Sequence, residues 1–91
     1  PFALRPMNPE EYEKMYRVEG ELWWYRSLHQ RVGAVLTERF GNRRDLTILD
    51  VGCGTGGLLD FLRQRGYVNL RGLDGAAEGV AFCRARGLDV T

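Results

Sequence analysis

The sequence predicts an α/β fold in which a parallel sheet with a crossover helix after each strand is preceded by two helices. Three observations predict it. From Leu46 onward, short apolar runs alternate with helical apolar periods in the order β-α-β-α-β, an order that builds a parallel sheet with right-handed crossovers. Four of the twelve glycines fall between Gly52 and Gly57, directly after the first of these runs. Upstream of Leu46 the apolar residues recur at spacings of three and four, which is the period of a helix.

Residues 1–7 hold two of the three prolines and no period, so they read as an extended leader. Asn8-Pro9-Glu10-Glu11 then combines a capping side chain, a proline at the first helical position and acidic groups at the positive end of the helix dipole. A helix from about Pro9 to Val18 is expected, with Tyr12, Met15 and Tyr16 on one face. Gly20 is expected to break it. A second helix follows from about Glu21 to Phe40, with Trp24, Leu28, Val32, Val35, Leu36 and Phe40 along one side and Gly41 as its stop.

Leu46-Thr47-Ile48-Leu49-Asp50-Val51 has the length and β-branched content of a buried strand. Leu58, Leu59, Phe61 and Leu62 form the apolar face of a helix that closes at Gly66. Asn69–Asp74 reads as a second strand and Ala76–Arg86 as a second crossover helix, which Gly79 weakens by about 1 kcal/mol relative to alanine. After Gly87, Leu88–Thr91 opens a third strand. The strand order would be 3-2-1, with the first strand as an unpaired edge, so that the isolated chain is expected either to associate through it or to be poorly stable.

Composition narrows the function classes. With 91 residues, 44% apolar and 27% charged, the chain is globular and has room for one domain at most. A domain this short buries only roughly 60–70% of its unfolded surface, so a large sheet would be incomplete here. Basic and acidic groups nearly cancel in each half, eight against seven through Asp45 and five against five after it, which leaves no nucleic-acid signature. The opening at Pro1 and the stop at Thr91 within an apolar-alternating stretch suggest a segment of a longer protein. Cys53 and Cys83 lack the paired spacing of a zinc site and are expected as free thiols. Without a membrane span or signal pattern, a reduced, cytoplasmic setting is the default.

The glycine loop carries the chemistry. Its bend requires backbone angles closed to most residues, and without Cβ atoms a ligand can lie against the main chain. The amides opening the next helix favour an anionic or electron-rich group. Gly52-Cys53-Gly54-Thr55-Gly56-Gly57 also fits the dinucleotide pattern G-x-G-x-x-G, with Asp74 seventeen residues beyond Gly57. Asp50 discriminates. A carboxylate two residues before the first glycine repels a pyrophosphate and suits a ligand with a positive centre and an amino group, as S-adenosylmethionine has.

Leu49-Asp50-Val51-Gly52-Cys53-Gly54-Thr55-Gly56 resembles the first motif of the class I S-adenosylmethionine-dependent methyltransferases, and Gly72-Leu73-Asp74 resembles their second. The resemblance covers residues 46–91 and implies a Rossmann-like, doubly wound parallel sheet, incomplete in this chain. It implies methyl transfer from S-adenosylmethionine to an acceptor the sequence does not identify. The cofactor half-site would comprise Asp50, Gly52, Cys53, Gly54, Gly56 and Asp74. The backbone from Gly52 to Gly54 would follow the methionine portion, with Asp50 near its amino end, and Asp74 would accept from both ribose hydroxyls, a charge-assisted arrangement. Capping of the following helix is the other reading of Asp74.

Glu21-Leu22-Trp23-Trp24-Tyr25-Arg26 is similar, more loosely, to a helix preceding the first motif in a subset of these enzymes. That similarity implies a lid, with Arg26 or Arg31 available to the methionine carboxylate and residues 1–45 as a helical cap; core packing by Trp24 is the alternative. His29, the only histidine, is expected to be structural. Cys53 is expected as a small filler, and Asp60 and Glu78 as helix first-turn charges with no further role. No metal site is expected and the catalytic residues are left unidentified; residues 1–91 alone are expected to be inactive. Two other functions fit the residues: a nicotinamide-dinucleotide oxidoreductase domain, and a non-catalytic scaffold that keeps the fold.

Overall fold

The computed structural model describes residues 9–91, with side chains placed for Glu10, Val18 and residues 21–91. Expectations for residues 1–8, including the Asn8 cap, lie outside the described residues, as do those for the side chains of Tyr12, Met15 and Tyr16. The elements run α1 (Pro9–Phe40), β1 (Thr47–Val51), α2 (Gly57–Gln64), β2 (Asn69–Leu73) and α3 (Ala77–Ala85). This is an α/β chain, with one helix where the sequence predicts two. α1 runs unbroken through Gly20. One interior glycine costs about 1 kcal/mol, while each residue added to an existing helix gains a hydrogen bond, so cooperativity carries the helix across the weak point.

By compactness the chain divides into a unit up to Val32 and a unit from Gly33 onward. In the first, residues 21–32 of α1 are largely exposed: Trp23 is 70% accessible and Trp24 56%. Trp24 is therefore not a core anchor among the described residues. Its ring instead meets Tyr25 edge-on, with centroids 5.3 Å apart, and His29 is half-buried with its ring 6.4 Å from that of Tyr25.

In the second unit, β1 and β2 pair in parallel, with Thr47 opposite Asn69 and Val51 opposite Leu73. The predicted third strand is reduced to a parallel bridge between Gly72 and Val90. It is held by the Gly72 amide to Asp89 O, the Thr91 amide to Gly72 O and the Asp74 amide to Thr91 O. The sheet itself has two strands, β1 beside β2, and the bridge joins β2 at Gly72. β1 alternates exposed and half-buried residues, with Ile48 and Asp50 half-buried and Thr47, Leu49 and Val51 exposed.

The core gathers on the helix-covered side of the sheet. Leu59, Cys83, Leu88, Val90 and Cys53 form one buried cluster, with Leu70 and Val80 against it, and Leu62 and Tyr67 are also buried. The i, i+3 spacing of Leu59 and Leu62 points both side chains of α2 inward. Gly33 of α1 lies where an added Cβ would sit 3.2 Å from the Phe61 ring of α2. Arg44 reinforces the turn before β2, donating to Arg65 O at 3.0 Å and stacking its guanidinium 4.7 Å above the Tyr67 ring. Among the described residues, no helix is long and apolar enough to cross a membrane.

Candidate functional site

β1 delivers the chain into the glycine loop at the C-terminal end of the sheet. Gly52, Gly54 and Gly56 adopt φ values of +78°, +58° and +86°, the left-handed region that side chains with a Cβ resist. Their surroundings differ. A Cβ on Gly52 or Gly54 would meet nothing within 4 Å, so the main chain is open to an incoming group at both. A Cβ on Gly56 would lie 2.5 Å from Leu88 Cδ1 and 3.0 Å from Cys83 Sγ, so Gly56 faces the core and permits its closure.

Four amides of the loop are satisfied within the protein. Gly52 and Cys53 both donate to the Leu73 carbonyl, at 2.7 and 3.0 Å, and Gly56 donates to Cys53 O at 2.9 Å. Gly54 donates to Asp74 Oδ2 at 2.7 Å. These four N–H groups thus shape the bend, and what the loop offers a ligand is close approach to main chain.

Asp74 follows β2 and is half-buried. Its second oxygen, Oδ1, accepts from the Ala76 amide at 2.8 Å, forming the turn into α3 that Ala76 cannot cap with its own side chain. The helix-start role is therefore present. These bonds, Ala76 first and Gly54 second, hold the carboxyl below its ordinary value of 3.8 and keep it ionised. Each carboxylate oxygen can accept more than one hydrogen bond, so acceptor capacity for a diol remains. Asp50, half-buried on the helix-covered face of β1, sits in register with Gly72.

Cys53 is buried against β2: a Cβ on Gly72 would lie 2.8 Å from its Sγ, which explains a glycine inside that strand. Its thiol is pushed up from its ordinary value by burial, then by Cys83, Asp50 and Asp74. A thiol held protonated in this way is a poor nucleophile, in keeping with a filler. Both cysteines are free. Among the described residues, no group of three or more His, Cys, Asp or Glu is placed to hold a metal.

Asp60 has more to do than a first-turn charge. It accepts from Arg63 at 2.7 Å and Gln64 at 2.8 Å on its own helix, and pairs with Arg86 from the end of α3 at 3.0 Å. Arg86 also donates to Thr55 O in the loop at 2.9 Å, and Arg63 donates to Arg86 O at 2.9 Å. The network ties α2, α3 and the loop together. Because Arg86 is 26 positions from Asp60, no local pattern exposes it.

Asp60, chiefly through its bond to Arg63, and Asp74 both lie below their ordinary value of 3.8 in the folded chain. Folded values below unfolded ones mean a contribution fully present above about pH 4 and lost as pH falls through the folded values. The melting temperature is expected to be insensitive to these two groups between pH 7 and about pH 4.5 and to drop below about pH 4. In Asp60→Asn that acid drop is shallower in a series of melts against pH; an unchanged acid limb contradicts the network.

A shallow hollow of about 610 Å³ runs beside Asp74 and Gly75 along Ala77, Val80, Ala81 and Arg84 of α3. Another, about 370 Å³, opens at the opposite, N-terminal ends of the strands near Tyr67 and Leu88, away from the glycines. Arg26 and Arg31 are exposed on α1.

Comparison with curated proteins and with solved structures returned no match. A family model described as "Methionine biosynthesis protein MetW" matches residues 41–91, more than half of the chain and the part that contains β1, the glycine loop and Asp74. The chain belongs to this MetW family, a family related to methyltransferases.

Proposed function

We propose that this chain carries the S-adenosylmethionine half-site of a methyltransferase. One observation supports the reading above the others: a left-handed bend whose main chain is open at Gly52 and Gly54, set between the strand-end carboxylates Asp50 and Asp74. A pyrophosphate needs N–H donors and distance from carboxylates. Here the loop amides of Gly52, Cys53, Gly54 and Gly56 are taken up internally, and two acids stand beside them. The same surroundings favour a ligand with a sulfonium and an α-ammonium.

The residues divide the work. Gly52 and Gly54 admit the ligand to the backbone, Asp50 faces its cationic end, and Asp74 accepts from its ribose while holding the loop. Cys53 and Gly56 support the bend from beneath. S-adenosylmethionine, when bound, supplies a methyl group on a positively charged leaving group, so the protein's task is alignment and exclusion of water.

Calorimetric titration with S-adenosylhomocysteine and, separately, with NAD tests the reading. Binding of S-adenosylhomocysteine without NAD is expected; binding of NAD alone overturns the assignment in favour of an oxidoreductase domain.

A further inference from the structure

Three independent contacts converge on a single residue of the loop, Gly54, one on the peptide before it and two on the peptide after it. The Gly54 amide donates to Asp74 Oδ2 at 2.7 Å. The Gly54 carbonyl accepts from the Cys83 thiol of α3 at 3.2 Å. The same carbonyl lies against the backbone of α3 at Gly79, where an added Cβ would come within 2.9 Å of the oxygen and 3.4 Å of the carbon. Cys83 is fully buried, and Gly54 holds a left-handed φ of +58°.

Gly79 is costly where it stands. It is the third residue of a nine-residue helix, a place where alanine is the better helix former. The close passage of the Gly54 carbonyl is a reason to keep it. Because the obstructing atom is backbone, no side-chain rotation relieves the clash that alanine would create; the loop itself must move.

We propose that α3 is the seat of the glycine loop, with Gly79 and Cys83 acting as positioning residues that hold the peptide after Gly54 while Asp74 holds the one before it, so that Gly54 is fixed in its ligand-receiving conformation. This rests on the reading of the loop as a cofactor site, and it deepens that reading: the loop is shaped from outside by the second crossover helix. Gly79 and Cys83 lie four apart, one turn of α3, so both present the same face to Gly54. The seat puts loop conformation and the placement of Asp74 under one control, since Asp74 Oδ1 starts α3 and Oδ2 holds Gly54.

The test uses the full chain, ¹⁵N-labelled, as wild type, Gly79→Ala and Cys83→Ala. It reads the Gly54 amide without ligand and the affinity for S-adenosylhomocysteine by calorimetry. In the wild type the Gly54 amide proton is expected downfield and slow to exchange, as a bond to a carboxylate requires. Both variants are expected to move that resonance and speed its exchange while the β1 and β2 amides stay in place, and to weaken the ligand by about tenfold. A glycine serving only the helix predicts the reverse for Gly79→Ala, a higher melting temperature with Gly54 unmoved, and that result overturns the proposal. So does an unmoved Gly54 amide in Cys83→Ala, which decides the matter if Gly79→Ala does not fold. Should the wild type fail to bind S-adenosylhomocysteine while Gly54 responds as described, the cofactor reading falls and the seat stands.

Discussion

Gly56→Ala is expected to cost ~2–5 kcal/mol and to lower the melting temperature by at least about 10 °C. Two penalties add at this position. The left-handed φ of +86° disfavours a Cβ by roughly 1–2 kcal/mol. The Cβ would also enter the packed space 2.5 Å from Leu88 Cδ1 and 3.0 Å from Cys83 Sγ, and overpacking of that kind costs roughly 1–3 kcal/mol. Total stability for a domain of this size is only about 5–14 kcal/mol, so a large part is at risk. Gly41→Ala isolates the first penalty. Its φ is +65° with nothing within 4 Å of the added atom, so a loss of roughly 1–2 kcal/mol is expected. Equal losses at the two positions in denaturant titrations would show that packing around Gly56 is not as described.

Asp74→Ala is expected to weaken S-adenosylhomocysteine by about 10- to 100-fold, the range for losing hydrogen bonds to a charged acceptor. The substitution acts twice. It removes the acceptor proposed for the ribose, and it releases the Gly54 and Ala76 amides that hold the loop and the start of α3. Asp74→Asn separates the two effects in part, because the amide side chain keeps one acceptor oxygen and turns an NH₂ toward the other backbone N–H. Intermediate affinity is expected for it. Calorimetry on the two variants decides: a dissociation constant within twofold of wild type in Asp74→Ala removes Asp74 from the site.

Legibility in the sequence followed the range of the forces involved. β1, the bend after it and α2 were readable because β-branched residues, clustered glycines and the Leu59/Leu62 spacing each act within a few positions. The break at Gly20 was misread because helix cooperativity extends over more residues than the local cost of one glycine. Trp24 was given a packing alternative that its 56% exposure does not support, since helical periodicity shows which residues share a face and not whether anything covers it. Asp60 shows the same limit from the polar side: its partner Arg86 comes from the far end of another helix. Gly79, a weakness when read along the sequence, gains a reason only when Gly54 is brought against it. Asp74 was legible as an acid at a strand end and as a start for the next helix, and its bond to the Gly54 amide was not.

A crystal structure of the chain with S-adenosylhomocysteine tests the central assignment most directly. The account predicts ligand density along the main chain at Gly52 and Gly54, with the ribose on Asp74 and the amino end toward Asp50. Density at the N-terminal ends of the strands, or a ligand that leaves both carboxylates untouched, would contradict it.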